Sequence, residues 1–147
     1  EVEHCGNGAR CFVRYVVDRG LTDKRSVTVK TVNNLLQLAL LEDGRVTVDM
    51  GMPRFAAADV PFSGGEGAPD EVLVVDGVPV RISVLSMGNP HAVTVVPDVD
   101  TALVAVQGPQ IEHHARFPQR VNAGFMQVLD RHNIRLHLQY AHMVRKH

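Results

Sequence analysis

The sequence contains no tryptophan, and aromatic residues make up only 5% of it. Its core must therefore be filled by aliphatic and β-branched side chains, which favour strands. Only two cysteines are present, Cys5 and Cys11. On one helix they would stand ~9 Å apart along the axis, whereas a disulfide needs its Cα atoms within about 7 Å. Both are expected to be free thiols, which suits a cytoplasmic protein. The formal net charge is only -1, so no nucleic acid or polyanion is expected as a partner. No apolar run approaches the ~20 residues of a membrane helix, which argues against a membrane. No basic start followed by an apolar stretch marks a secretory leader. The chain begins at Glu1 rather than at a methionine, so residue 1 is not expected to be the natural start. Its 147 residues suffice for one compact domain or parts of two.

What is present reads as an α+β chain dominated by antiparallel strands. Gly6 to Arg19 has helical spacing, with Ala9, Phe12, Tyr15 and Val16 on the expected apolar face. Asn7 is the expected N-cap and Gly20 the left-handed stop. The period then changes to two. Ser26 to Thr31, Leu35 to Leu41 and Val46 to Met50 predict a three-stranded meander, with Glu42-Asp43-Gly44 as a turn. Val72 to Val75 and Val80 to Leu85 flank an Asp76-Gly77 turn and predict a second hairpin. His91 to Val96 predicts another strand. A third hairpin joins Phe125 to Leu129 with Ile134 to Leu138. Two helical pieces are expected between them, one over Thr101 to Val106 capped by Asp98 or Asp100, the other over Pro109 to Ala115. The stretch from Pro61 to Pro69, rich in Gly, Ala and Pro, is the boundary candidate.

His4 to Cys11, HCGNGARC, is the most informative segment. Cys5 precedes a Gly-Asn-Gly opening with a helix after it. Backbone N–H groups and the helix dipole favour negative charge at such a start. The Cys5 thiol should have a lowered pKa there. A substrate carboxylate could dock on the amides of Gly6, Asn7 and Gly8, because glycine lets a ligand approach the backbone. That pairing suits removal of a Cα proton beside a carboxylate, which needs a placed base and stabilisation of the developing charge. The same pattern also fits a cysteine that merely packs at a helix start. Cys11 lies on another face of the helix and reads as a packing residue.

Four blocks, in order, resemble the diaminopimelate epimerase family: His4 to Phe12, Val46 to Pro53 (VTVDMGMP), Ser86 to Val93 (SMGNPHAV) and Arg116 to Gln127 (RFPQRVNAGFMQ). The resemblance implies two similar α+β halves, each a strand-rich barrel around a central helix, with the active site in the cleft between them. Each half supplies one cysteine at its helix start. The activity implied is interconversion of LL- and meso-diaminopimelate for lysine biosynthesis, without pyridoxal, any other cofactor, or metal. By position, Cys5 resembles one of the two proton-transfer cysteines, with Gly6 and Asn7 as substrate-binding neighbours. Asn89 and Asn122 resemble the side chains that hold the distal end of the substrate. His91 resembles a histidine that tunes the site's proton equilibria. Read without the family, Asn89 is a turn residue, Asn122 a loop cap and His91 an ordinary buried or surface histidine.

The departures carry their own expectations. Residues 1–60 are expected to be the later part of the first half, and residues 61–147 most of the second half, lacking its central helix. Tyr140 and Ala141 stand where the family has a Glu-Arg pair, and no second Cys-Gly-Thr-Gly follows. An incomplete, inactive form is therefore expected, with an apolar sheet face uncovered and open to pairing as a homodimer. Two other readings stand beside it: a related proline or hydroxyproline racemase-type isomerase, and a non-catalytic remnant. A metal site is not expected. His113-His114 and His4 beside Cys5 lack Cys-x-x-Cys or His-x-x-x-His spacing.

Overall fold

A computed structural model describes residues 6–31, 35–65 and 70–139. His4 and Cys5 therefore lie outside the described residues. The chain divides into two compact units, Glu1–Met52 and Pro53–His147.

In the first unit, helix α1 (Gly6–Asp18) packs on a sheet of β1 (Ser26–Lys30), β2 (Leu35–Leu40) and β3 (Val46–Asp49). All strand pairs in it are antiparallel, with Val27 opposite Leu38 and Leu38 opposite Val48. Alternation puts Val27, Val29, Leu36, Leu38, Leu40, Val46 and Val48 on the face that meets the helix. The helix contributes Ala9, Val13 and Val17, spaced by four, and Val13 is fully buried. This corrects the apolar face read from sequence, because Phe12 and Tyr15 are 45% and 55% exposed. Small and β-branched residues let the helix sit close to the sheet, while the two rings project away from it. Tyr15 instead lies under the Arg19 guanidinium.

The end of α1 follows its glycine. Gly20 has φ +64, its N–H donates to Val17 O and that of Leu21 donates to Val16 O. This is the Schellman pattern that left-handed glycine permits. The expected N-cap role of Asn7 fails: the helix already begins at Gly6, and Asn7 Oδ1 accepts instead from the Arg10 guanidinium.

The second unit is a five-stranded sheet in the order β4 (Glu71–Val75), β5 (Val78–Ser86), β6 (Pro90–Val95), β7 (Asn122–Val128) and β8 (Ile134–Gln139). Asp76 and Gly77, at φ 51 and 77, form the two-residue turn between β4 and β5. The β6–β7 pair is parallel, and its crossover contains helix α2 (Val104–Glu112). Two helical pieces were expected here, but the helix runs through Pro109. Its buried residues Val104, Gly108, Ile111 and Glu112 share one face. That burial outweighs the single hydrogen bond the proline forfeits. Neither aspartate caps α2. Leu103 precedes the helix without a side-chain cap, Asp98 accepts from the Asp100 N–H, and Asp100 pairs with Arg135.

One sheet face carries Leu73, Val75, Ile82, Val84, Ala92, Ala123 and Phe125, which pack with Val104, Ile111, Phe62 and Phe117 into the core. On the other, Val72, Val74, Val95, Val128, Ile134 and Leu136 are all exposed. Together the units form an α+β fold.

Candidate active site

The first group of predicted site residues stands at the mouth of α1. Gly6 and Asn7 are its first two residues. An α-helix offers no intrahelical acceptor to its opening N–H groups, and its dipole is positive there. A Cβ added to Gly6 would lie 3.6 Å from Met50 Sδ. The HCGNGARC and VTVDMGMP segments, far apart in sequence, thus meet at Gly6 and Met50. Gly51, at φ +74, turns the chain just after β3, and its N–H donates to Asp49 Oδ1.

Cys11 is free and exposed, which corrects its reading as a packing residue. It lines a broad surface groove with Arg10, Arg14, Tyr15 and Arg45. The groove runs along α1 beside the start of β3, outside the core that Val13 enters.

The second group lies in the other unit. Ser86 and Pro90 are register partners, so β5 and β6 are joined by the three-residue loop Met87-Gly88-Asn89. The Gly88 N–H donates to Ser86 Oγ. Gly88 itself has φ +94, a left-handed value that glycine takes without strain. Arg54 forms a two-way backbone bridge with Ser86 and fixes the loop from outside. Sequence reading did not pick out Ser86 or Arg54. The Arg54 role comes from backbone pairing, which leaves no residue signature, whereas the Ser86 hydroxyl accepting from the N–H two residues on is a turn signal that a Ser-x-Gly sequence carries.

From this loop Asn89 Oδ1 meets His91 Nε2 at 3.0 Å. A carbonyl oxygen can only accept, so Nε2 carries the proton and donates. The Asn89 amide is thereby oriented with its oxygen toward the imidazole and its NH2 donors turned away. Burial of the His91 ring lowers its pKa below the ordinary 6.5, which keeps it neutral at physiological pH. Asn122 opens β7 directly opposite His91. Its Nδ2 donates to Pro90 O at 3.1 Å, so the side chain is tied to the same loop. The fold therefore brings Asn89, His91 and Asn122 together, although Asn122 is more than thirty residues from Asn89 in sequence. Two oriented amides, one presenting donors, form a set suited to the carboxylate and ammonium of an amino-acid group.

A family model described as diaminopimelate epimerase matches residues 1–56 and 83–143. A diaminopimelate epimerase of Cupriavidus necator is 59% identical over 144 residues, covering 92% of this chain and 50% of that protein. The chain belongs to the diaminopimelate epimerase family. Further relatives bearing the same name come from Nitrosospira multiformis, at 57% identity, and Pseudomonas entomophila, at 56%; each match covers 92% of this chain and 49% of the relative. The chain thus spans about half the length of the curated relatives it matches. Every candidate site residue of this epimerase-family chain falls inside the two matched stretches. Among the described residues, no group of three His, Cys, Asp or Glu side chains is arranged to hold a metal ion. No described helix is long and apolar enough to cross a membrane.

Proposed function

We propose that this chain carries one proton-transfer face, and the distal substrate-binding residues, of an enzyme that interconverts LL- and meso-diaminopimelate in lysine biosynthesis. The observation that carries this reading is that Gly6 and Asn7, which follow Cys5 in the sequence, lie in the first described turn of α1, with Gly6 close to Met50 of the VTVDMGMP segment. A thiol just ahead of a helix start is stabilised as its thiolate by the dipole and the opening N–H groups. The Cys5 sulfur takes the Cα proton and becomes a thiol. The electron pair left on Cα spreads into the adjacent carboxylate, which the amides of Gly6 and Asn7 stabilise. Return of a proton to the opposite face inverts the centre.

That second step needs an acid on the far side of Cα. Cys11 does not supply it, because it sits one helical step beyond the first turn and outside any glycine opening. Asn89 and Asn122 hold the unreacting amino-acid end, and neutral His91 fixes the Asn89 amide and tempers proton transfer nearby. The two units, Glu1–Met52 and Pro53–His147, are then parts of the two family halves, which puts the division nearer residue 52 than the expected residue 60. The substrate is a small molecule and the compartment the cytoplasm. No pyridoxal or metal takes part, and this chain by itself has negligible epimerase activity.

The test is the titration of Cys5. In a Cys11→Ser variant, alkylation by iodoacetamide is followed against pH, with and without meso-diaminopimelate. The expected thiol pKa lies clearly below about 8.5, the ordinary value, and meso-diaminopimelate slows the reaction. An ordinary pKa together with an alkylation rate indifferent to the ligand overturns the proposal. Rapid epimerisation by the chain alone would overturn the statement that it is inactive by itself.

A further inference from the structure

Glu112, the last residue of α2, is a carboxylate only 1% exposed. It receives Arg120 Nη1 on Oε1 at 3.3 Å. Arg120 also donates to His113 Nε2. The Nδ1 of that histidine donates to Pro109 O at 2.8 Å, which leaves Nε2 as the acceptor. The guanidinium is therefore gripped by two consecutive residues at the end of α2, where the helix dipole also favours a cation.

The backbone of Arg120 explains what the grip is for. Its φ is +66, and it is one of two non-glycine residues described with a positive φ. Glycine would take that conformation without steric cost, whereas a residue with a Cβ resists it. The reversal follows the turn closed by Arg120 N donating to Phe117 O at 2.9 Å. It launches the chain into β7 through Val121, which is fully buried, directly before Asn122. Asn122 is itself largely buried and tied to Pro90 O. A change of direction at residue 120 is therefore transmitted to the Asn122 side chain with little slack.

We infer that Glu112, acting through Arg120, is a positioning residue that sets the direction from which Asn122 enters the distal binding site. The inference rests on the proposed role of Asn122, but its structural half can be tested without any ligand. The side-chain amide pair of Asn122 is followed by 15N–1H correlation spectra of the full 147-residue chain. Three variants are compared. Arg120→Gly keeps the left-handed backbone accessible but removes the tether. Glu112→Gln keeps an acceptor oxygen but removes the charge. Arg120→Lys keeps a cation without the guanidinium fork.

Arg120→Gly and Glu112→Gln should each shift or split the Asn122 amide pair, and Arg120→Lys should shift it less. The backbone resonances of the β4–β5 hairpin should stay in place. An unmoved Asn122 pair alongside a lowered unfolding midpoint would show a merely structural ion pair and overturn the inference. Loss of dispersed spectra in both of the first two variants would do the same, by making the pair a general folding requirement. Addition of meso-diaminopimelate to the parent chain then tests the other half. If the Asn122 pair does not respond, its substrate role fails while the tether stands.

Discussion

His91 and Asn122 face each other across β6 and β7, the one parallel strand pair among the described residues. Parallel register puts both side chains on the same sheet face. The α2 crossover that a parallel connection requires is therefore what brings the SMGNPH and RVNAGF segments together. Asn122 Nδ2 then closes onto Pro90 O, between Asn89 and His91.

The pH dependence of this cluster follows from the buried imidazole. Burial lowers the His91 pKa below the 6.5 it has in the unfolded chain. Between the two values the unfolded state binds more protons, so stability falls as pH drops below 6.5 and is fully regained above it. The Nε2–H donor survives protonation, so the bond to Asn89 is kept and the loss comes from desolvation. The expected result is an NMR titration midpoint for the His91 ring below 6.5. Replacement by Gln should reduce the acid sensitivity of the unfolding midpoint. A ring titrating at or above the ordinary value would contradict this.

Leu38 is fully buried at the centre of the β1–β2–β3 sheet, opposite Val27 and Val48 and beneath α1. Leu38→Ala should cost about 2–5 kcal/mol, the transfer term plus the cavity left behind. Urea unfolding followed by circular dichroism measures it. Gln37→Ala, on the exposed face of the same strand, should change stability little.

The elements of this fold were legible wherever period and turn chemistry agreed. Helix α1 with its Gly20 stop, the meander around Gly44, the hairpin at Asp76-Gly77 and the last hairpin all appear close to their expected bounds. Which side of α1 would face the sheet was not legible. Phe12 and Tyr15 are bulkier than Ala9 and Val17, and helical spacing alone does not say which of the two faces meets the sheet. Pro109 argued for a break in α2, because a local rule does not weigh the burial of Ile111 and Glu112 that carries the helix through. The site residues came from block resemblance, since taken alone Asn89 reads as a turn residue and Asn122 as a loop cap. The Arg120 reversal was illegible because arginine carries no signal for a positive φ.

Gly108 offers a test in which local propensity and packing disagree in sign. In a helix interior Ala is favoured over Gly by roughly 1 kcal/mol. A Cβ on Gly108, however, would lie 2.9 Å from Gln139 Cβ on β8, too close for the two to coexist without movement. Gly108→Ala should therefore destabilise, by about 1–3 kcal/mol as overpacking does. Urea unfolding gives the sign directly, and a stabilised variant would show that α2 and β8 are not in such close approach.

The exposed face of the five-stranded sheet gives the last prediction. Val72 and Val74 on β4, Val95 on β6, Val128 on β7 and Ile134 and Leu136 on β8 are 48–62% exposed on that face. Contiguous apolar surface of this kind binds hydrophobic dyes and drives association between copies. The chain should enhance the fluorescence of an anilinonaphthalene dye and associate as its concentration rises. Val95→Thr combined with Leu136→Thr keeps strand-forming residues while removing apolar area from the central strand β6 and the edge strand β8 of the face. That variant should bind less dye and sediment as a smaller species, with little change in unfolding midpoint because neither side chain is in the core. Sedimentation of the parent chain as a monomer at every concentration, with no dye response, would mean that this face is not available to solvent.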